Sequence, residues 1–323
     1  MLEQMVERGA LPVAVDTDRD VLVLSPLAEA RFDEPSFDGT ARAGADGRLY
    51  RWTLDDFVDQ VAKYRPTQPL RLIAHTSRCG STLLANLLGL RPHHMVLKEP
   101  GFLVHSSQRA LRRGPSREDV LLRALLHYCR AVADAHHRSL VVKLTSWTAP
   151  LILRALEGSP DVRWLFQWRD PAAVVASQLA SSPRWWTHED IRSDVARLLA
   201  HQDETDPARF YALVWCAITN AALSTPMPSL RYEDLVSDKL RALLAAEEWL
   251  SLGVAQAAPD GFEERKSQYS KGSSSQRFDP VGAHRRPQLE EHQATAVQSL
   301  SGELLSALQN TAVPLLGPAK ARP

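Results

Sequence analysis

Apolar positions along this chain follow two rhythms. Short, nearly unbroken apolar runs at 70–74, 94–98, 139–144 and 162–168 alternate with longer stretches in which apolar residues recur every three or four positions. The short runs predict strands buried on both faces, and the spaced stretches predict amphipathic helices over 81–90, 120–136, 149–156, 171–180, 185–200, 207–223, 235–250 and 288–309. A short strand is expected at 229–232. Strands alternating with helices predict an α/β fold built on a central, mostly parallel sheet flanked by helices.

The first part of the chain reads differently. Apolar runs at 13–15 and 21–24 are separated by Asp-rich turns, as in strands, and 52–64 reads as a helix with Thr53 as its cap. Pro66 and Pro69 then break the pattern. Residues 1–65 are accordingly expected to form a small N-terminal appendage, and 66–323 the main domain. The polar stretches 106–117 and 263–284 read as loops, the first with some helix, and the tail from Pro314 is expected to fray.

Composition narrows the picture. The chain has 323 residues, 44% hydrophobic and 24% charged, as a folded globular protein has. Its 38 basic and 38 acidic residues give a formal net charge of zero, which argues against a protein that coats nucleic acid but allows a local basic pocket. The three cysteines, Cys79, Cys129 and Cys216, are odd in number and far apart, so neither a disulfide framework nor a zinc site is expected. Free thiols fit a reducing compartment. The acid-rich start has no basic-then-apolar signal segment, and no apolar run reaches membrane-spanning length. The expected location is the cytoplasm; oligomeric state is not legible.

The segment 76–82 carries the strongest chemical signal. It joins a buried strand to a helix, so several backbone N–H groups point one way and the helix dipole adds positive charge. Gly80 permits close approach of an anion, Ser81 and Thr82 add hydroxyls, and Arg78 adds a permanent charge that can bond two oxygens. The turn suits phosphate or sulfate. It departs from the ATP-binding pattern G-x-x-x-x-G-K-[ST], because His75 stands at the first glycine and Ser81 at the lysine. The plain alternative is an ordinary polar turn.

The run Ser77-Arg78-Cys79-Gly80-Ser81-Thr82-Leu83-Leu84 resembles the donor loop of sulfotransferases that use 3′-phosphoadenosine 5′-phosphosulfate (PAPS). It departs at Cys79, where Ser or Thr is usual. If that residue supplies only its backbone N–H, the change is harmless; if a hydroxyl matters, donor affinity falls. A second stretch, Arg169-Asp170-Pro171 with Ser177 eight residues after the arginine, resembles the family's 3′-phosphate motif. A third, Arg231-Tyr232-Glu233-Asp234-Leu235, is similar to a string found later in the family and is assigned no chemistry, Asp234 being read as a helix cap. A looser likeness covers Tyr269 to Ser275, including Lys271 and Gly272, where the family has a basic loop that closes over the nucleotide.

The resemblance spans about residues 70–280 and implies a three-layer P-loop-like fold. It implies PAPS as donor, bound by Arg78, Cys79, Gly80, Ser81, Thr82, Arg169, Ser177, Lys271 and Gly272, with no metal required. It also implies in-line transfer of a sulfuryl group to an acceptor hydroxyl or amine of a small molecule or peptide. Arg78 would stabilise the leaving phosphate oxygen, and Glu99, just after the strand at 94–98, would be the base. The alternative for Glu99 is a salt bridge with Lys98 or Arg78, and His105 and His188 are rival bases. Lys143 would contact the sulfate or position Glu99; otherwise it is a surface lysine. Trp185, Trp186 and His188 are candidate acceptor contacts or core. Two other readings stay open: an ATP-using nucleotide kinase, and a non-catalytic nucleotide-binding or interaction module.

Overall fold

The computed structural model describes residues 2–27, 30–44, 47–253, 257–267 and 288–316. Lys271 and Gly272, with the loop around them, lie outside the described residues. The N-terminal part contains α1 (Leu2–Glu7), β1 (Ala10–Asp16), β2 (Val21–Pro26), α2 (Phe37–Gly44), β3 (Tyr50–Thr53) and α3 (Leu54–Val61). Then follow β4 (Leu70–His75), α4 (Ser81–Leu88), β5 (His94–Lys98), α5 (Gly101–Arg113), α6 (Pro115–Ala135), β6 (Ser139–Lys143) and α7 (Ala149–Ala155). The remainder is β7 (Val162–Trp168), α8 (Pro171–Ala180), α9 (Arg184–Thr187), α10 (Glu189–Leu199), α11 (Pro207–Leu223), β8 (Pro228–Arg231), α12 (Tyr232–Ser237), α13 (Lys239–Trp249), α14 (Phe262–Arg265), α15 (Glu291–Thr311) and β9 (Val313–Pro314).

A six-stranded sheet runs in the order β5-β6-β4-β7-β8-β9, with β5–β6, β7–β8 and β8–β9 paired in parallel. It is the central parallel sheet, flanked by helices, that the alternating pattern called for. Every residue of β4 and β5 is buried, which explains their unbroken apolar runs. A separate antiparallel sheet has the order β1-β2-β3.

The chain divides into two compact units. One combines residues 1–72 with 85–163, so the N-terminal elements share a unit with α5, α6 and β6. There the Phe57 and Tyr128 rings meet edge to face at 5.3 Å, and the Tyr128 hydroxyl donates to the Ala10 carbonyl at 2.9 Å. Tyr128 is fully buried, so this bond meets a polar group that would otherwise be costly to bury. The other unit combines 73–84 with 164–323 and is built on β7, β8 and the helices α8, α11 and α15.

Several local expectations are corrected. The stretch 106–117 is not a loop but the end of α5 and the start of α6. Its polarity misled, because Arg109 is buried yet satisfied, by Glu118 at 2.7 Å and by Asp20. The break between the helices is a single residue, Gly114 at φ +94°, followed by Pro115 at the first position of α6. The expected helix 235–250 is split in two at Asp238, whose carboxylate accepts the Arg241 N–H and so starts α13. The expected cap Asp234 instead lies inside the first turn of α12. The helix 185–200 is divided at His188 into α9 and α10. Pro314 does not fray: Val313 and Pro314 pair with Pro228 and Ser229 at the sheet edge, where a residue without an N–H is tolerated. Thr53 does cap α3, accepting the Asp56 N–H at 3.2 Å.

Candidate functional site

The loop after β4 is shaped by backbone conformations that side chains rarely adopt. Ser77 and Arg78 are left-handed, at φ +68° and +47°, and Gly80 follows at φ +79°. Such positions cost about 1–3 kcal/mol each for non-glycine residues, so the surroundings must hold them. The Thr76 N–H donates to the Gln167 carbonyl at 3.1 Å, and the Ser77 N–H donates to His75 Nδ1 at 3.0 Å. His75 Nδ1 is therefore unprotonated. The Gln167 amide donates to the Cys79 carbonyl at 2.6 Å, while the Cys79 thiol donates to the Gln167 carbonyl at 3.3 Å.

The Cys79 side chain is fully buried and bonded to β7, so it turns away from the loop surface. Gly80 is required twice over: by its positive φ, and because a Cβ would stand 3.0 Å from Leu235 Cδ2 and 3.2 Å from Tyr232 Cδ2. The Leu84 N–H bonds the Gly80 carbonyl at 3.1 Å, so the amides just before Leu84 form the open first turn of α4. Ser81 and Thr82, the first residues of that turn, are both largely buried.

Arg169 follows the last residue of β7 and is half-buried. Its backbone N–H donates to Thr76 Oγ1 at 3.3 Å, and its guanidinium donates to the Arg78 carbonyl at 3.2 Å. The guanidinium lies 4.2 Å from the Tyr232 ring centroid, a cation–π contact, and its buried Nε has no hydrogen-bond partner. Asp170 does not pair with it but caps α8 by accepting the Ala173 N–H at 3.2 Å. The Trp215 indole N–H holds the Arg169 carbonyl at 3.0 Å. Arg78 reaches the Ser181 carbonyl. Loop and Arg169 thus form one cluster in which two guanidinium groups are met by carbonyls and a ring rather than by carboxylates. Ser177 lies on the second turn of α8, half-buried.

Sequence reasoning missed several supporting residues. Tyr232 backs both Arg169 and Gly80, Gln167 ties Cys79 to β7, and Trp215 fixes the Arg169 backbone. The signal for Tyr232 was present in the Arg231-Tyr232-Glu233-Asp234-Leu235 string, which had been given no chemistry. Tyr211 is a further candidate: burial raises its phenol above the ordinary value, against smaller opposing effects of Ser182 and the Arg78 charge, so it stays protonated at neutral pH. Trp185 and Trp186 stack edge to face on Tyr211 at 5.7 and 5.1 Å, a packed aromatic cluster.

Glu99 belongs to the other unit. It follows β5, with φ +52°, and its N–H donates to the Lys143 carbonyl at 2.8 Å. Its carboxylate is ion-paired with the Lys143 ammonium; the Lys143 side chain is 1% exposed and that of Glu99 34%. Glu99 does form a salt bridge, but its partner is Lys143, which the expected Lys98 or Arg78 pairing did not name, and Lys143 is no surface lysine. Lys98 is occupied elsewhere, donating to Asn86 Oδ1 at 3.0 Å. His105 and His188 are both exposed. Among the described residues no cluster of three or more His, Cys, Asp or Glu is arranged to hold a metal, and no helix is long and apolar enough to cross a membrane.

No family model matches the chain, and no curated protein matches it. Among solved structures it is similar to a sulfotransferase domain from the curacin biosynthetic pathway, with 18% identity and a TM-score of 0.42, over 75% of this chain and 99% of that one.

Proposed function

We propose that this protein is a PAPS-dependent sulfotransferase. The observation that carries the reading is the Arg78–Arg169 cluster: two arginines and a helix N-terminus gathered on a strained loop, with a buried guanidinium Nε lacking an acceptor. An anion with several oxygens satisfies such a cluster, and the absence of the ATP-type lysine favours a sulfate donor over ATP. In this reading the amides of residues 79–82 and Arg78 hold the phosphosulfate, and Arg169 with Ser177 holds the 3′-phosphate. Lys271 and Gly272 are assigned to cover the nucleotide.

The reaction follows from these roles. The acceptor oxygen forms a new bond to sulfur as the bond from sulfur to the donor's phosphate oxygen breaks. Arg78 and the loop amides stabilise the charge that builds on that leaving oxygen. Glu99 takes the acceptor proton, while the ion pair with Lys143 holds its carboxylate in place. The products are a sulfated acceptor and adenosine 3′,5′-bisphosphate. The acceptor class proposed is a hydroxyl or amine on a small molecule or peptide, and the site of action the cytoplasm.

Calorimetric titration with adenosine 3′,5′-bisphosphate, and separately with ATP and magnesium, tests the donor assignment. We expect binding of the bisphosphate that Arg169→Ala weakens by about 30-fold, near 2 kcal/mol. Binding of ATP with magnesium but not of the bisphosphate would move the protein to an ATP-using class. Bisphosphate binding without transfer of labelled sulfate to any acceptor would leave a nucleotide-binding module.

A further inference from the structure

The first unit contains a second feature that the proposed reaction does not use. A cavity of about 500 Å³ opens among α3, α6 and the start of β4 and β7. Val58, Val61, Leu70, Val120, Ala124 and Leu156 give it apolar walls. Its volume falls in the range of about 300–1,000 Å³ typical of small-molecule sites. Val120 is one of few large apolar side chains left exposed among the described residues, at 42%. Leu70 and Val162 are the first residues of β4 and β7, whereas the loop and Arg169 follow the last residues of those strands. The cavity is therefore not part of the donor cluster.

Its charge is lopsided. Arg65, Arg123 and Arg130 line it against a single carboxylate, Asp161, leaving two positive charges in excess. His127 also lines it, but burial holds the imidazole below its ordinary pKa, so it adds no charge at neutral pH. Arg130 is only 6% exposed; one end of its guanidinium pairs with Asp161, while its buried Nε has no acceptor. Arg65 is steered by the Ala62 and Tyr64 carbonyls at 2.6 and 2.9 Å, contacts that orient it without neutralising it. Next to Arg130 lies the buried Arg71, pushed down to about 10 mainly by burial, with the Asp134 carboxylate opposing the shift and Arg130 and Arg163 adding to it. Along the cavity lining itself positive charge is in surplus, and an anion relieves it.

We propose that this cavity binds a small aliphatic carboxylate, its hydrocarbon chain against the apolar walls and its head group on the lining arginines. The walls are aliphatic, which suits a flexible chain better than a flat base, and an excess of two charges suits a monoanion better than a polyphosphate. Burial of its CH₂ groups supplies most of the affinity and the arginines the selectivity for the head group.

The test is calorimetric titration of the full chain with dodecanoate, and with dodecanol as the same chain without the charge. We expect saturable binding of dodecanoate, weaker by about tenfold for dodecanol. Arg123→Glu, at an exposed position, should weaken dodecanoate by about tenfold and leave dodecanol unchanged. Val58→Trp, which fills the cavity from its half-buried wall, should remove both. Thermal melting checks that each variant is folded; if Val58→Trp does not fold, Arg123→Glu decides alone. No saturable binding up to about 1 mM dodecanoate, or equal affinity in wild type and Arg123→Glu, would overturn the proposal. Adenosine 3′,5′-bisphosphate affinity should not change in either variant.

Discussion

The ends of β4 and β5 use the same device to different effect. Each parallel strand is followed by non-glycine residues in the left-handed region, Ser77 and Arg78 after the one, Glu99 after the other. After β4, the exposed chemistry is cationic and is met by carbonyl oxygens and the Tyr232 ring, so positive charge is left over. After β5, the carboxylate is matched by a buried ammonium, so the pair is neutral as a whole. An uncompensated cationic turn attracts an anion. A compensated pair attracts none strongly. The backbone is strained at both strand ends; the charge balance around each decides what it attracts.

Breaking the cationic side should have the largest effect. Arg78→Ala is expected to lower transfer of labelled sulfate from PAPS by about 100- to 1,000-fold, as loss of one charge-stabilising donor does. A fall of less than about tenfold would place that stabilisation elsewhere.

Breaking the neutral pair should appear first in stability. Glu99→Gln leaves the Lys143 ammonium buried without its carboxylate, at a cost of about 2–3 kcal/mol, below the full range for buried pairs because Glu99 is one-third exposed. Urea denaturation reads this, and Glu99→Gln with Lys143→Met should recover most of it. Glu99→Gln should also lower transfer, by about 100-fold, whereas full activity in that variant would assign the base to another group.

Smaller changes sharpen the comparison. Gly80→Ala forces a Cβ into a left-handed residue against Leu235 and Tyr232, and should cost about 1–2 kcal/mol in stability with a matching loss of bisphosphate affinity. Tyr232→Leu should weaken the bisphosphate by only a few-fold, about 0.5–1 kcal/mol, while Tyr232→Phe, which keeps the ring under Arg169, should bind nearly as the wild type does. Equal binding by the Leu and Phe variants would show that the ring does not position Arg169.

Much of this was legible from the chain alone. Nearly unbroken apolar runs identified β4 to β7, since a strand buried on both faces needs apolar residues at most positions, and the sheet they form is the expected one. The turn at 76–82 was readable because a strand, small residues and a helix N-terminus form a local sequence pattern. Local chemistry was less readable where polar residues are buried. Arg109 looked like loop because its partners, Asp20 and Glu118, lie 89 residues before it and nine residues after it, the latter in the next helix.

The sequence by itself determined the central strands β4 to β7, most of the helices around them and the turn rich in hydrogen-bond donors that joins β4 to α4, because periodicity and backbone preference act over a few residues. Only the tertiary structure decided that the Cys79 side chain faces inward, that Tyr232 lies under Arg169, and that Glu99 is paired with Lys143. Those outcomes depend on which strand ends come side by side. Contacts between residues tens of positions apart are set by the packing of whole elements, which no local pattern encodes.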